Sequence, residues 1–429
     1  MNRRMPSKFT GIVFAYLEGE ADAVPAGQLQ IVEEGIEVIA STFGYGSRYL
    51  ARPNAIPVDP TGLKLEGAVP GGVKEHEPDN ELVFFGAVRD AMPDMWGRRV
   101  IENLLKVPPN SLPETEYLMQ AGSNRFGALD VRRETGSPES HGYLVPASDL
   151  EYLLDAADKV QLGEEVPLYL LQLFDAGPSM GGARPKAVVI RGARQYLAKL
   201  PAQGDTMNVP SIERATLELA RECGLNVPET DLVQLPDGRE VMLVERFDRY
   251  KQGTGFGRRH AVSALTALGL HETESANASY ADISLKIGEF APQGRVQADR
   301  TELFGRMVFN ILVSNDDDHL RNHAFVWQPR SHGWELSPLY DVLPKPQAAT
   351  ERRLHLSVGK EGRRASIPNA LSNAPLFGLR ADQAEEVVDR IATKVREWKV
   401  YFEAVGVKPV DLERVSSAMR HPRDVGWTR

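Results

Sequence analysis

A run of polar residues follows an apolar stretch in the last third of the chain and carries most of the groups that could do chemistry. The segment 314–323 reads Ser-Asn-Asp-Asp-Asp-His-Leu-Arg-Asn-His. Three adjacent carboxylates repel one another unless a cation or another partner lies among them. Asp317 and Asn322 lie five residues apart in this run, and carboxylate and amide oxygens are the ligands that hard cations such as Mg²⁺ prefer. The run therefore predicts a cation site.

A predicted β-hairpin brings a further carboxylate to the same place. The segments 323–327 and 333–337 predict its two strands, separated by a short polar turn. Asp341 follows the second strand, and Asn322 precedes the first. Because paired strands lie about 4.8 Å apart, Asn322 and Asp341 are expected to converge at the open end of the hairpin. Together with Asp317 they predict a Mg²⁺–phosphate site.

The same layout describes the catalytic centre of protein kinases, in which an Asp, an Asn five residues later and a second Asp after a hairpin act together. Two alternatives stay open. The acidic segment could cap a helix end and remain solvated, or His319 and His323 could form an i, i+4 zinc pair helped by the carboxylates. The zinc interpretation is weakened because His323 is expected to open a strand rather than to continue a helix.

A glycine-rich segment precedes a predicted strand at 187–190. The segment 176–186 reads Ala-Gly-Pro-Ser-Met-Gly-Gly-Ala-Arg-Pro-Lys. Glycines let backbone N–H groups approach phosphates closely, although the Gly-Lys-Ser/Thr of a Walker A loop does not follow. The alternative is an ordinary turn, but the position before a strand favours a loop that covers nucleotide phosphates.

The strand 195–200 and the strand 241–244 continue the same order of elements. Lys199 either protects an edge strand or pairs with nucleotide phosphates. The next helix carries three candidate partners for it, Glu213, Glu218 and Glu222, of which Glu213 is chosen. The second strand turns polar at Glu245, which is the pattern of a linker whose backbone binds adenine; the alternative is a core strand that simply ends. Glycine-rich loop, lysine strand, helix, linker, polar loop and final Asp follow one another in the order of a kinase.

The elements that must position these residues fall into three parts. The sequence predicts a β-rich region at 1–145, a mixed lobe at 146–250 and a helical lobe at 251–429. Apolar segments at 9–17, 36–40 and 82–88 predict strands in the first part.

Three helices are predicted from apolar periodicity and from helix-terminating residues. One begins after Pro210, with Ser211 as its N-cap, and ends at Gly224. The others cover 301–314 and 381–400.

Composition restricts the kind of protein. The chain has 429 residues, with 50 Lys and Arg against 59 Asp and Glu, which gives a net charge of −9. A chain this acidic is poorly suited to bind nucleic acid through its whole surface. Cys223 is the single cysteine, so an intramolecular disulfide or a cysteine-based zinc cluster is excluded. The sequence offers no run of ~20 apolar residues of the kind that spans a bilayer, and a cytoplasmic protein is expected.

The sequence resembles the HipA-type serine/threonine kinase toxins of bacterial type II toxin–antitoxin systems. The segments that carry the resemblance are 85–98, 121–128, 179–186, 197–201, 244–249, 315–322 and 337–341. The most specific is Asn-x-Asp-x-His-x-x-Asn at 315–322, followed by Pro-Leu-Tyr-Asp ending at Asp341. The resemblance implies an α+β, protein-kinase-like two-lobed fold with an additional β-rich N-terminal region.

The resemblance also implies roles for individual residues. Asp317 would be the catalytic base, His319 would support the same catalytic loop, and Asn322 and Asp341 would be the Mg²⁺ ligands. The residues that would bind ATP are Ser179, Gly181, Gly182, Lys186, Lys199, Glu245 and Phe247. Ser179 also matches the serine that this family autophosphorylates.

The implied cofactors are ATP and Mg²⁺, and the implied partner is a small HipB-type DNA-binding antitoxin. DNA would be reached only through that antitoxin, no membrane partner is expected, and the protein substrate would be a translation component such as an aminoacyl-tRNA synthetase. An alternative is a catalytically silent, kinase-like corepressor that docks the antitoxin. One departure is the pair Ala261-Val262, where the best-known members carry a polar run.

Overall fold

The computed structural model describes residues 6–65, 74–140, 145–171, 174 and 182–428. Its strands are β1 (Ser7–Ala15), β2 (Val24–Glu34), β3 (Glu37–Tyr45), β4 (Glu75–His76), β5 (Leu129–Arg132), β6 (Val145–Pro146), β7 (Lys186–Arg191), β8 (Arg194–Lys199), β9 (Thr230–Gln234), β10 (Glu240–Glu245), β11 (Arg249–Gln252), β12 (Gly255–Arg258), β13 (Ala261–Ser263), β14 (Ala324–Gln328) and β15 (Gly333–Leu336). Its α-helices are α1 (Ser47–Leu50), α2 (Gly86–Asp90), α3 (Met95–Leu105), α4 (Glu114–Gln120), α5 (Leu150–Leu162), α6 (Leu168–Leu171), α7 (Val209–Glu222), α8 (Ala264–Ala267), α9 (Tyr280–Phe290), α10 (Val296–Val313), α11 (Ile367–Leu371), α12 (Ala381–Arg396), α13 (Trp398–Ala404) and α14 (Pro409–Val415). Among these helices, none combines the length and the apolar character needed to cross a bilayer.

The chain packs into two compact units, each built from two separate stretches. The first unit contains Met1–Gln203 and Arg246–Leu270, and the second contains Gly204–Glu245 and His271–Arg429. The three-part division expected from the sequence stays a prediction.

The first unit contains an antiparallel sheet in the order β4-β3-β2-β1-β5. Leu29 pairs with Gly11 on one side and with Phe43 on the other. Alternate residues of each strand face opposite sides of a sheet, and the inward set, which includes Val13, Leu29 and Phe43, is fully buried. In the same unit β6 runs parallel to β7, β7 pairs antiparallel with β8, and β11 and β12 form a ribbon.

Buried arginines join two segments of the first unit that lie far apart in the sequence. The guanidinium of Arg246 donates to the side chain of Asn124 (3.1 Å) and to Asp248 (2.8 Å). Arg249 donates to the same two side chains (2.9 and 2.8 Å), and the backbone N–H of Gly127 donates to Asp248 (2.8 Å). Burial by itself raises the pKa of Asp248, but Arg246 and Arg249 outweigh it and lower the pKa to about 2.

The second unit is mainly helical. Helix α10 is buried along most of its length, including Phe304 and Ile311. The predicted hairpin is confirmed: β14 and β15 pair antiparallel, with Phe325 opposite Leu336. Strands β9 and β10 form a second antiparallel pair.

One strand prediction and one capping prediction are wrong. The segment 82–88 is not a strand but leads into α2, and its apolar run was ambiguous because short buried runs occur in both element types. The helix is anchored by Asp90, which accepts hydrogen bonds from the backbone N–H and hydroxyl of Ser263 (2.7 and 2.8 Å). The N-cap of α7 is Asn208, whose side chain accepts from the N–H of Ser211 (3.2 Å).

Other boundaries differ by a few residues. Helix α10 begins five residues before the predicted 301, and the segment 381–400 is divided between α12 and α13 at Glu397. The N-terminal region also contains α3 and α4, which the strand-rich prediction missed. Helix α7 ends as predicted, since Gly224 has a left-handed φ of 77°, which costs glycine little.

Replacing Asp248 with Asn tests the buried arginine cluster. The substitution leaves two buried guanidiniums without their carboxylate, so we expect it to lower the free energy of unfolding by about 3–5 kcal/mol near neutral pH. Because the pKa of Asp248 is depressed in the folded state, its stabilisation is present above the unfolded-state pKa and is lost as pH falls from about 4 to about 2. The difference between wild type and variant should shrink over that range in urea denaturation.

The matched control is Asp155→Asn. Asp155 pairs with Lys159 on an exposed helix face, with the carboxylate side chain 56% exposed, so a change below about 1 kcal/mol is expected. Equal effects of the two substitutions would contradict the structural role given to Asp248.

Candidate active site

The polar segment 314–323 begins where α10 ends. Ser314 adopts a left-handed φ of 54°, which terminates the helix. Its hydroxyl donates to the carbonyl of Ala418 (2.6 Å), and its carbonyl accepts from the N–H of Lys345 (3.1 Å). The start of the loop is therefore attached to two other segments of the second unit.

Asp318 anchors the middle of the loop through its buried side chain. Its Oδ2 accepts three hydrogen bonds, from the hydroxyl of Tyr280 (2.5 Å), Nδ2 of Asn310 (2.7 Å) and Nε2 of His323 (2.9 Å). All four side chains are almost completely buried. Buried polar groups are costly unless they are hydrogen-bonded, and here one carboxylate oxygen satisfies three donors.

The electrostatics of this cluster favour an ionised Asp318. Burial by itself would raise its pKa, but the His323 and Tyr280 side chains outweigh burial and lower the pKa of Asp318 below its ordinary value. Burial and the neighbouring carboxylate raise the pKa of Tyr280 well above its ordinary value, so its hydroxyl remains a donor.

The three adjacent carboxylates avoid repulsion because one of them is buried apart from the other two, which share a cation. Asp318 points into the core, whereas Asp316 and Asp317 share the ammonium of Lys345 at 3.1 and 3.2 Å. The side chain of Asp317 is 61% exposed. Asp317, the residue predicted as the base, is therefore accessible to a substrate, whereas Asp318 holds the loop.

Asn322 is joined directly to Asp317. Its Nδ2 donates to the carbonyl of Asp317 (3.0 Å), and its backbone N–H donates to the carbonyl of His319 (2.9 Å). Asn322 is 4% exposed. The contact through Nδ2 leaves Oδ1 as the amide atom that can coordinate a cation.

Asp341 follows the hairpin as the sequence predicts. The hydroxyl of Tyr340 donates to the carbonyl of Arg321 (2.7 Å), so the residues next to Asp341 and Asn322 are in contact. Asp341 has a φ of 58°, a left-handed conformation that is uncommon for residues other than glycine and is concentrated at functional sites.

Asn322 and Asp341 carry side chains that suit Mg²⁺. Asn322 and Asp341 offer an amide oxygen and a carboxylate oxygen, which are hard ligands of the kind that Mg²⁺ takes beside substrate phosphates. Their roles as ligands stay a prediction. No group of three or more His, Cys, Asp or Glu suited to a metal occurs in the described part of the chain, and a site completed by phosphates does not require one.

The histidine pair of the zinc interpretation does not form. Residues 320–322 make a 3₁₀ turn, so His319 and His323 are not on one α-helical face. His323 is hydrogen-bonded to Asp318, and the ring of His319 lies edge-on to that of His355, with centroids 5.8 Å apart. His319 also shapes the loop through its N–H, which donates to the carbonyl of Asp317 (2.8 Å).

The predicted ATP-binding residues are divided between the units. Gly182, Lys186, Lys199 and Phe247 belong to the first unit and Glu245 to the second. Ser179 and Gly181 lie outside the described residues. Glu213 is 4% exposed in the second unit, and its pairing with Lys199 stays a prediction.

Lys186 lies at the start of β7, opposite Lys199 on β8. Its ammonium is 2.7 Å from the carboxylate of Asp94, and both side chains are buried. Asp94 also caps α3 by accepting from the N–H of Gly97 (2.8 Å). The phosphate-binding role of either lysine stays a prediction.

Sequence reasoning missed the groups that hold the loop in place. Asn310 had a signal, because a polar residue inside the apolar run of α10 needs a buried partner. Tyr280 and Lys345 had no local signal, since each meets the loop only through tertiary packing.

A model of the HipA-like C-terminal domain family matches residues 178–399, just over half of the chain. The serine/threonine-protein kinase toxin HipA of Shewanella oneidensis is 25% identical over 347 residues, which are 74% of this chain and 73% of that protein. A Sinorhizobium fredii protein named as a candidate kinase, Y4mE, is 28% identical over 322 residues, 70% of this chain and 71% of its own length.

The fold is also that of a solved HipA. The structure of Shewanella oneidensis HipA with HipB and operator DNA superposes with a TM-score of 0.65 at 18% identity, covering 96% of this chain and 95% of that one. The expected α+β fold of the HipA kinases is thereby confirmed.

Replacing Asp318 with Ala tests the anchor of the loop. Three buried donors lose their acceptor, and we expect the free energy of unfolding to fall by about 3–5 kcal/mol. Urea denaturation followed by circular dichroism measures this loss.

The adjacent Asp316 gives a matched control. Its side chain is 28% exposed and bonds to Lys345 and Gln347 near the surface, so Asp316→Ala should cost no more than about 1 kcal/mol. A larger loss for Asp316 than for Asp318 would overturn this account of the loop.

Proposed function

Because this chain belongs to the family of HipA-like proteins, we propose that it is an ATP- and Mg²⁺-dependent protein serine/threonine kinase. The observation that supports this best is the loop 314–323. Asn322 is tied to the carbonyl of Asp317 at 3.0 Å, and the neighbours of Asn322 and Asp341 are joined at 2.7 Å. An Asp, an Asn five residues later and a second Asp after a hairpin are the groups that protein kinases use for phosphoryl transfer to a hydroxyl.

In the proposed mechanism, Asp317 accepts the proton of a serine or threonine hydroxyl. Its exposed carboxylate is accessible for this role. Asn322 and Asp341 would hold Mg²⁺ through their side-chain oxygens. Mg²⁺, when bound, neutralises charge on the phosphates of ATP.

The proposed nucleotide contacts rest on the family resemblance. Lys186 and Lys199 would pair with phosphates, Gly182 would bring backbone close to them, and Phe247 would frame adenine together with the backbone at Glu245. Catalysis would then depend mainly on position and charge, since phosphoryl transfer needs little covalent help from the protein.

We further propose that the kinase is the toxin of a type II module with a HipB-type antitoxin. Support comes from the solved relative, which is a complex of HipA, HipB and operator DNA. The net charge of −9 favours contact with DNA through the partner rather than directly. A translation component such as an aminoacyl-tRNA synthetase is the proposed substrate.

Substitution of the proposed catalytic base or metal ligand tests the kinase function. Asp317→Asn removes the proton acceptor and Asp341→Ala removes a Mg²⁺ ligand, so we expect each to lower transfer of radiolabelled γ-phosphate at least about 100-fold. The readout is phosphate incorporation into protein by the purified full-length chain.

Asp382→Asn is the control, because Asp382 is 63% exposed at the start of α12 and full activity is expected. Unchanged incorporation by Asp317→Asn would refute the assignment. A wild-type protein that binds a HipB-type antitoxin but transfers no phosphate from ATP would be a silent corepressor instead.

Autophosphorylation of Ser179 gives a separate prediction. Phosphate adds close to two negative charges beside the proposed ATP phosphates, which should repel the nucleotide. Mass spectrometry should detect a phosphopeptide containing Ser179 in cells that express wild type, and the peptide should be unmodified in cells that express Asp317→Asn. Equal modification in both would show that another kinase acts on this serine.

A further inference from the structure

Lys345 lies four residues after Asp341 and returns to the start of the polar loop. Its backbone N–H donates to the carbonyl of Ser314 (3.1 Å). Its ammonium lies 3.1 Å from Oδ1 of Asp316 and 3.2 Å from Oδ2 of Asp317. One short segment thus carries both the proposed metal ligand and a cation that contacts the proposed base.

Asp316 holds this ammonium in place. Its second oxygen accepts a hydrogen bond from Nε2 of Gln347 (2.6 Å), so both oxygens of Asp316 are engaged by the segment 345–347. Asp317 is the more exposed of the two carboxylates, at 61% against 28%. Asp316 is therefore the anchor, and Asp317 is the carboxylate that remains open to other molecules.

We propose that Lys345 is a positioning residue for Asp317, an inference that rests on the proposed kinase function. The ammonium holds Oδ2 of Asp317, which leaves Oδ1 to accept the proton of the substrate hydroxyl. It also offsets the repulsion between Asp316 and Asp317, two adjacent carboxylates that would otherwise turn away from each other. Residue 345 lies outside every sequence segment that carried the family resemblance.

Loss of the ion pair between Lys345 and Asp317 should lower turnover rather than the stability of the fold. Ion pairs between side chains as exposed as Lys345 and Asp317, at 43% and 61%, contribute little to stability. A carboxylate displaced by about 1 Å can nevertheless slow catalysis about 100-fold. Loss of an interaction that matters only in the transition state lowers kcat and leaves ground-state binding of ATP unchanged.

The test compares Lys345→Met, which keeps the apolar stem and removes the charge, with Lys345→Arg, which keeps a cation. We expect the Met variant to lose about 10–100-fold in kcat, with the KM for ATP changed less than about twofold, and the Arg variant to recover most of that loss. Lys399→Met, on the exposed surface of α13, is the matched control and should behave as wild type. Lys345→Gln replaces the Met variant if the latter does not fold.

The outcomes separate this inference from the kinase function. No phosphate transfer by wild type overturns both. An active wild type with a fully active Met variant overturns the inference alone, and so does a Met variant faster than wild type, since Lys345 would then block Asp317. A Met variant whose defect lies in the KM for ATP, without rescue by Arg, assigns Lys345 to nucleotide binding and also overturns it.

Discussion

The carboxylate of Asp318 is the buried anchor of the loop 314–323. A tyrosine, an asparagine and a histidine donate three hydrogen bonds to one of its oxygens. These donors come from α9, from α10 and from the residue before β14. Because an unpaired buried polar group is costly, a shift of any one of these elements would break a hydrogen bond to Asp318 and lower stability.

This constraint explains how three consecutive aspartates serve different purposes. Asp318 is buried and holds the loop, whereas Asp316 is partly exposed, Asp317 is mostly exposed, and both share the ammonium of Lys345. A rigid support with exposed polar groups is the usual construction of sites that must hold reacting atoms in fixed positions. The left-handed backbone at Asp341 adds local strain that the surrounding contacts must offset.

Much of this region could be predicted from the sequence because its signals are local. The hairpin followed from two short apolar segments around a polar turn, and α10 followed from its apolar period. The spacing of Asp317 and Asn322 is likewise a local property. The segment 82–88 was predicted wrongly because a short buried run has no period that distinguishes a strand from a helix, and Asp90, which anchors the helix there, acts through Ser263.

By itself, the sequence determined the order of elements, the family resemblance and the residue types available for chemistry, since these depend on composition and on spacing along the chain. Only the tertiary structure decided which aspartate is buried, that Tyr280 and Asn310 share its oxygen, and that Lys345 reaches Asp317. Likewise, only the tertiary structure shows that Arg246 and Arg249 donate hydrogen bonds to Asn124. Hydrogen bonds and ion pairs act over a few ångströms in space, and separation along the chain does not reveal which groups folding brings within that range.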